Sequence, residues 1–224
     1  MNFQENQITE FDEQLKKLPD LKWLPWIGQH YNKTKTVVLG ESQYEDGDEW
    51  QDDNIDATRI LISKRFSGDR GKIYTNVEKV LLGKKNPTID EGNFLWKSVT
   101  YSNLVPRLMS SIKERPNEID FDNGWKIFFD LVEIINPKTC IVLGKSSWGR
   151  FCHYLNYNET GIKWERNISE FHAVERIINL SKNDTKIKLI FINHPSGSRG
   201  FNYEYWSKLI SENEPSLRRL LTFS

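Results

Sequence analysis

Four short apolar runs divide the chain: Thr36-Val37-Val38-Leu39-Gly40, Ser98-Val99-Thr100-Tyr101 leading to Ser102-Asn103, Thr139-Cys140-Ile141-Val142-Leu143, and Leu189-Ile190-Phe191-Ile192. Each is too short for a helix and rich in β-branched residues, which predicts strands buried on both faces. Between them, apolar residues recur at helical spacing. Ile8, Phe11, Leu15 and Leu18 predict a packing helix within Phe3 to Leu18. Helices are also predicted from Ala57 to Phe66, around Ile73, Val77, Val80 and Leu81, from Phe121 to Ile135, around Trp148, Phe151 and Tyr154, and from Tyr203 onward. Asn136-Pro137 stops the long helix. Trp23 to Gly28 reads as an aromatic connector on the sheet edge, Gly83 to Gly92 as a loop, and Trp164 to Leu180 fits neither period.

Strands alternating with helices predict an α/β fold with right-handed crossovers: a three-layer α/β/α sandwich around a central four-stranded, mainly parallel sheet, in one domain spanning residues 1–224. Parallel strands share one carboxyl rim, where α/β folds bind their ligands. Glu41 and Ser42, Asn103, Lys145 with Ser146, and His194 would meet there. His194 opens the loop His194-Pro195-Ser196-Gly197-Ser198-Arg199-Gly200, whose serines and arginine can face a ligand.

Composition narrows the chemistry. Lys plus Arg and Asp plus Glu both number 31, so nucleic-acid binding needs a local patch; Lys64, Arg65, Arg70, Lys72, Lys84, Lys85, Arg107 and Arg199 are its candidates. Cys140 and Cys152 are too few for a four-thiolate cluster or zinc site, so neither metal nor cofactor is expected, and Cys140 reads as a core residue. No signal peptide or long apolar span is visible, which leads us to expect a soluble, cytoplasmic monomer without membrane contact.

The rim resembles that of the uracil-DNA glycosylase superfamily. His194-Pro195-Ser196 followed by Gly200-Phe201 is similar to its His-Pro-Ser motif, and Gly40-Glu41-Ser42-Gln43-Tyr44 to its first motif. Asn103 stands where these enzymes place a base-reading asparagine, Phe66 to Gly71 is similar to the segment with the stacking phenylalanine, and Pro137 to Gly144 matches a further strand. The resemblance implies a uracil-DNA glycosylase-like fold and an enzyme that flips an aberrant or modified pyrimidine out of DNA and hydrolyses its N-glycosidic bond. It implies catalytic roles for His194, Glu41 and Asn103: donor to the base oxygen, carboxylate near the sugar, and reader of the base edge. Ser42, Tyr44, Phe66, Ser196, Ser198 and Arg199 would contact substrate, with Phe66 stacking on the base and Tyr44 blocking its C5 face.

The chain also departs from the family. Ser42 replaces the water-activating aspartate of the best-known branch, and the cluster cysteines of the Gly-Glu-Ala branch are missing. At the position of the apolar wedge stand Ser198 and Arg199. Glu45, Asp46, Asp48, Glu49, Asp52, Asp53 and Asp56 surround Trp50 in a segment that reads as a solvated loop, or as a binder of sugar hydroxyls on a modified phage base, which would make the protein a defence enzyme. Two rivals stand beside the glycosylase: a non-catalytic DNA-binding relative, and a serine α/β hydrolase with Ser42 as nucleophile and His194 as base, although Gly40 to Tyr44 lacks the closing glycine of a nucleophile elbow.

Overall fold

The computed structural model describes residues 3–45, 54–69, 71–157, 164–166, 176–196 and 201–221. Its strands are β1 (Trp26–Ile27), β2 (Thr36–Gly40), β3 (Gln43–Tyr44), β4 (Thr100–Asn103), β5 (Leu108–Met109), β6 (Thr139–Leu143), β7 (Glu165–Arg166), β8 (Ile177–Lys182) and β9 (Thr185–Ile192). Its α-helices are α1 (Asp12–Leu15), α2 (Tyr31–Thr34), α3 (Ala57–Phe66), α4 (Lys72–Leu82), α5 (Ile89–Ser98), α6 (Glu118–Ile135), α7 (Trp148–Tyr157), α8 (Tyr203–Asn213) and α9 (Pro215–Leu220).

The four apolar runs become the centre of the sheet. β4, β2, β6 and β9 lie side by side and parallel, with Gly40 opposite Asn103, Val38 opposite Ile141, and Leu143 opposite Ile192. Successive side chains of a strand point to opposite faces. Val37, Leu39, Cys140, Val142, Leu189 and Phe191 therefore pack with α6 and α7, while Val38, Ile141, Leu143, Ile190 and Ile192 pack with α3, α4, α5, α8 and α9. Helices cover both faces, as the three-layer reading requires. The chain leaves β2 towards β4 on one side and later returns to place β6 on the other. The crevice that such a reversal opens lies between the ends of β2 and β6.

The sheet is wider than the four strands expected. Among the described residues it has seven, in the order β1-β4-β2-β6-β9-β8-β7, and the added pairings are antiparallel. The stretch read as a connector supplies β1, the edge strand. Trp26 and Ile27 are both buried, and the Trp26 indole donates to the Trp96 carbonyl at 2.7 Å. The stretch that fitted neither period yields β7 and β8. A two-residue turn at Asn183, whose φ is 52°, folds β8 back on β9 as a hairpin.

Two helix predictions also change. The N-terminal helix shrinks to α1, because Gln7 bridges Gly28 and the Ile8 N–H donates to the Ile27 carbonyl at 2.9 Å. Ladder bonds to β1 win there, while Leu15 stays buried and Ile8, Phe11 and Leu18 still pack on the core. Conversely, α5 occupies residues read as loop and as the start of a strand. A Thr88–Glu91 capping box starts it, so the strand begins only at Thr100. No helix among the described residues is long and apolar enough to cross a membrane.

Candidate functional site

A cleft of about 670 Å³ opens on the carboxyl rim, lined by Glu41, Tyr44, Ile73, Ile112, Arg115, Gly144, Lys145, Ser146, Asn193, His194 and Ser196. It lies where β2, β6 and β9 end, at the crevice set by the strand order, and its size suits a small ligand.

Glu41 is the residue immediately after β2. Its side chain is 6% exposed, and both carboxylate oxygens are engaged. Arg115 Nη2 lies 2.6 Å from Oε1, and the Ser146 hydroxyl donates to Oε2 at 2.6 Å. A buried carboxylate needs such partners to remain charged. Leu104 and Val105 N–H donate to the carbonyls of Gly40 and Glu41, both at 2.9 Å, which fixes the strand end.

His194 lies two residues beyond β9. Its Nδ1 is 2.8 Å from the Ser196 hydroxyl and accepts the Ser196 backbone N–H at 3.3 Å. A backbone N–H can only donate, so Nδ1 carries no proton and the neutral ring carries it on Nε2. Burial holds the imidazole below its ordinary value. Glu41 pulls it back up and Arg115 pushes it down. The net lowering favours the neutral, Nε2-protonated ring at neutral pH. The loop is anchored from α4, where the Asn76 amide donates to the Pro195 carbonyl at 2.7 Å.

Gly144 separates the two groups. Its φ is 128°, and a Cβ there would lie 3.6 Å from Glu41 Oε2 and 3.8 Å from His194 Cδ2. The glycine lets the backbone turn where a side chain would be strained, and keeps the space between acid and imidazole open.

The remaining predicted residues divide. Tyr44 and Ser196 line the cleft with Glu41 and His194; Ser42, Asn103 and Phe66 do not. The Ser42 hydroxyl is buried and makes no hydrogen bond among the described residues. Asn103 is on the same rim at the end of β4, three strand spacings or about 14 Å from β9. Its Oδ1 accepts from the Tyr101 hydroxyl at 3.2 Å, and its buried Nδ2 has no partner among the described residues. A side chain at Gly40 would collide with that amide and with the Tyr101 hydroxyl. Phe66 packs against the edge strand, its ring 5.6 Å from Trp26. Ser198 and Arg199, with Arg70 and 46–53 of the acidic segment, lie outside the described residues.

Three members of the expected basic patch are engaged in ion pairs. Arg65 is buried against Glu78 at 2.9 Å, Arg107 grips Asp120 and Glu114, and Lys84 pairs with Glu91. The cations that line the cleft are Arg115 and Lys145, the latter 4.6 Å above the Trp206 ring. Arg115 escaped the sequence reading because it belongs to neither a strand end nor a motif. Its only signal was position, in a polar segment between two predicted elements. No protein-family model matches this chain, and no curated protein matches its sequence.

Proposed function

We propose that the protein is a DNA glycosylase that hydrolyses the N-glycosidic bond of an extruded, aberrant or modified pyrimidine nucleotide. The observation that carries this reading is the pairing, across Gly144, of the buried Glu41 carboxylate with an imidazole whose Nδ1 accepts the Ser196 N–H, the arrangement that leaves Nε2 to donate in the neutral ring. Breaking the bond between the base nitrogen and C1′ leaves positive charge on the sugar and the electron pair on the base. A fixed carboxylate stabilises the first, and an N–H donor at a base oxygen stabilises the second. Water then adds to C1′, and its proton ends on the released base. With both oxygens engaged, Glu41 acts in this scheme as a fixed charge rather than as a proton acceptor.

The surroundings agree with such a substrate. Lys145 brings positive charge to the wall of the cleft, where a nucleotide phosphate would sit, whereas the charge of Arg115 is largely matched by Glu41. Tyr44 lines it as a flat wall for a base. The resemblance of His194-Pro195-Ser196 and Gly40-Glu41 to glycosylase motifs points the same way. The serine hydrolase reading finds less support, since His194 bonds Ser196 while Ser42 is buried outside the cleft.

The test is single-turnover release of free base from oligonucleotides carrying uracil, thymine mismatches, hypoxanthine, or plain and glucosylated modified cytosines. One of the pyrimidine substrates should be cleaved, hypoxanthine should not, and His194→Ala should slow release by about a hundredfold or more. DNA binding with no release from any substrate would leave the non-catalytic relative as the better reading. Fluorophosphonate labelling of Ser42 would favour the hydrolase.

A further inference from the structure

A second cleft, of about 650 Å³, opens at the opposite end of the sheet, where β2 and β6 begin and β9 first meets β6. Five residues of strand, about 15 Å, separate it from the cleft at the carboxyl rim. Four lysines line it. Lys35 and Lys138 directly precede β2 and β6, Lys188 lies opposite Thr139 on β9, and Lys186 shares a face of β9 with Lys188. The Lys138 N–H donates to the Lys35 carbonyl at 2.7 Å, and the Lys188 N–H to the Lys138 carbonyl at 2.9 Å. Neighbouring strands are about 4.8 Å apart, so these three backbones are fixed within about 10 Å of one another.

Two of the ammonium groups are used by the fold. Lys35 donates to Asn32 Oδ1 at 2.8 Å and lies over the Tyr31 ring. Lys188 donates at 2.6 Å to the Asn213 carbonyl at the end of α8, and lies 3.4 Å from Glu214. The other two are left over. Lys138 and Lys186 are exposed, and their ammonium groups have no hydrogen-bond or ion partner among the described residues. Four ammonium groups thus face two carboxylates, Asp184 and Glu214, on a chain whose total charge is zero. Asn136, Asn179 and Ser181 add neutral polar groups to the wall. Its apolar residues, Leu180 and Ile187, are each only 2% exposed, and no aromatic ring lines it among the described residues. Such a wall supplies donors and positive charge but no flat surface for a base.

We propose that this cleft is a second ligand site, which binds a compact oligophosphate: an anion with several phosphates in one short chain. Lys138 and Lys186 make the contacts, and Lys35 and Lys188 add fixed positive charge. A single phosphate would leave part of the lysine row unused, whereas a short chain of phosphates spans it. The site is independent of the glycosylase reading.

The test is calorimetric titration of the full chain with inorganic triphosphate at about 0.15 M salt, where diffuse surface attraction is largely screened. One triphosphate should bind per chain. Lys138→Gln and Lys186→Gln should each weaken binding by about tenfold or more, and both side chains are exposed, so the variants should melt as the wild type does. Lys208→Gln, an exposed lysine of α8 that does not line the cleft, should change nothing. Absence of binding, or equal weakening by Lys208→Gln, overturns the site. So does binding that is lost in Lys145→Gln and kept in Lys138→Gln, which would put the anion at the carboxyl rim. Inorganic phosphate or a short DNA strand that binds as tightly as triphosphate, with the same dependence on Lys138 and Lys186, overturns the compact oligophosphate as its ligand.

Discussion

Replacing Glu41 by glutamine should lower the pKa of His194, and the size of the change follows from the position of Gly144. A Cβ on that glycine would be 3.6 Å from Glu41 Oε2 and 3.8 Å from His194 Cδ2, so carboxylate and ring are within about 7 Å; at an effective dielectric constant of about 20 this separation is worth about 2 kcal/mol. Arg115, with Nη2 2.6 Å from the other oxygen, cancels part of that field. The remainder corresponds to about one pKa unit. Burial already depresses the imidazole, so removing the charge that raises it should move the titration midpoint further down. Arg115→Ala should move it up, because the charge that lowers it has gone. In Glu41→Gln the new amide oxygen can still accept the Ser146 hydroxyl, and in Arg115→Ala that hydroxyl still donates to Glu41, but the buried carboxylate loses its ion partner, so Arg115→Ala should be the less stable of the two and thermal unfolding is measured beside the titration. The assay is an NMR titration of the His194 ring in the wild type and both variants. Stability gives a second reading. With the folded value below the unfolded 6.5, the unfolded state binds more protons, so stability should fall as pH drops below about 6.5 and level off beneath the folded midpoint. A midpoint that stays put in Glu41→Gln, or moves up, would refute the shared cleft.

Three further outcomes are expected. Glu78→Ala should cost about 3–5 kcal/mol in urea unfolding, because Arg65 and Glu78 are only 3% and 2% exposed and the guanidinium would be left buried beside Trp96; a cost below about 1 kcal/mol would mean that water reaches the pair. Gly144→Ala should lower stability by about 1–3 kcal/mol through its φ of 128°, measured by thermal unfolding, and should slow base release if the glycosylase reading holds. Asn76→Ala removes one hydrogen bond to the Pro195 carbonyl, so it should cost about 1 kcal/mol of stability. It should also change amide exchange around His194 while leaving α8 unaffected.

Much of the scaffold was legible in the chain itself. Strands buried on both faces must be apolar throughout, so β2, β6 and the end of β9 stood out, and the spacing of apolar residues in α4 and α6 announced which helix faces would be covered, whereas α3 buries Thr58, Arg59, Ser63 and Arg65 and shows no such stripe. Parallel strands present their carboxyl ends on one edge, so Glu41, Ser146 and His194 were correctly expected on a common rim. Local pattern failed where pairing is not local. The spacing of Ile8, Phe11, Leu15 and Leu18 suits a helix, yet backbone bonds to β1 keep most of that segment extended or turned. Trp26–Ile27 is too short to show any period.

Only the tertiary structure chose the partners. Arg115 reaches Glu41 across 74 positions of sequence, and no spacing rule connects them. Phe66 and Asn103 have the residue types a nucleotide site needs, but Trp26 and Tyr101 occupy them. The order of apolar and polar residues determined which edge of the sheet would hold the chemistry. Three-dimensional packing decided which side chains there are engaged by their neighbours and which face the cleft, because contacts between distant segments depend on how the layers close.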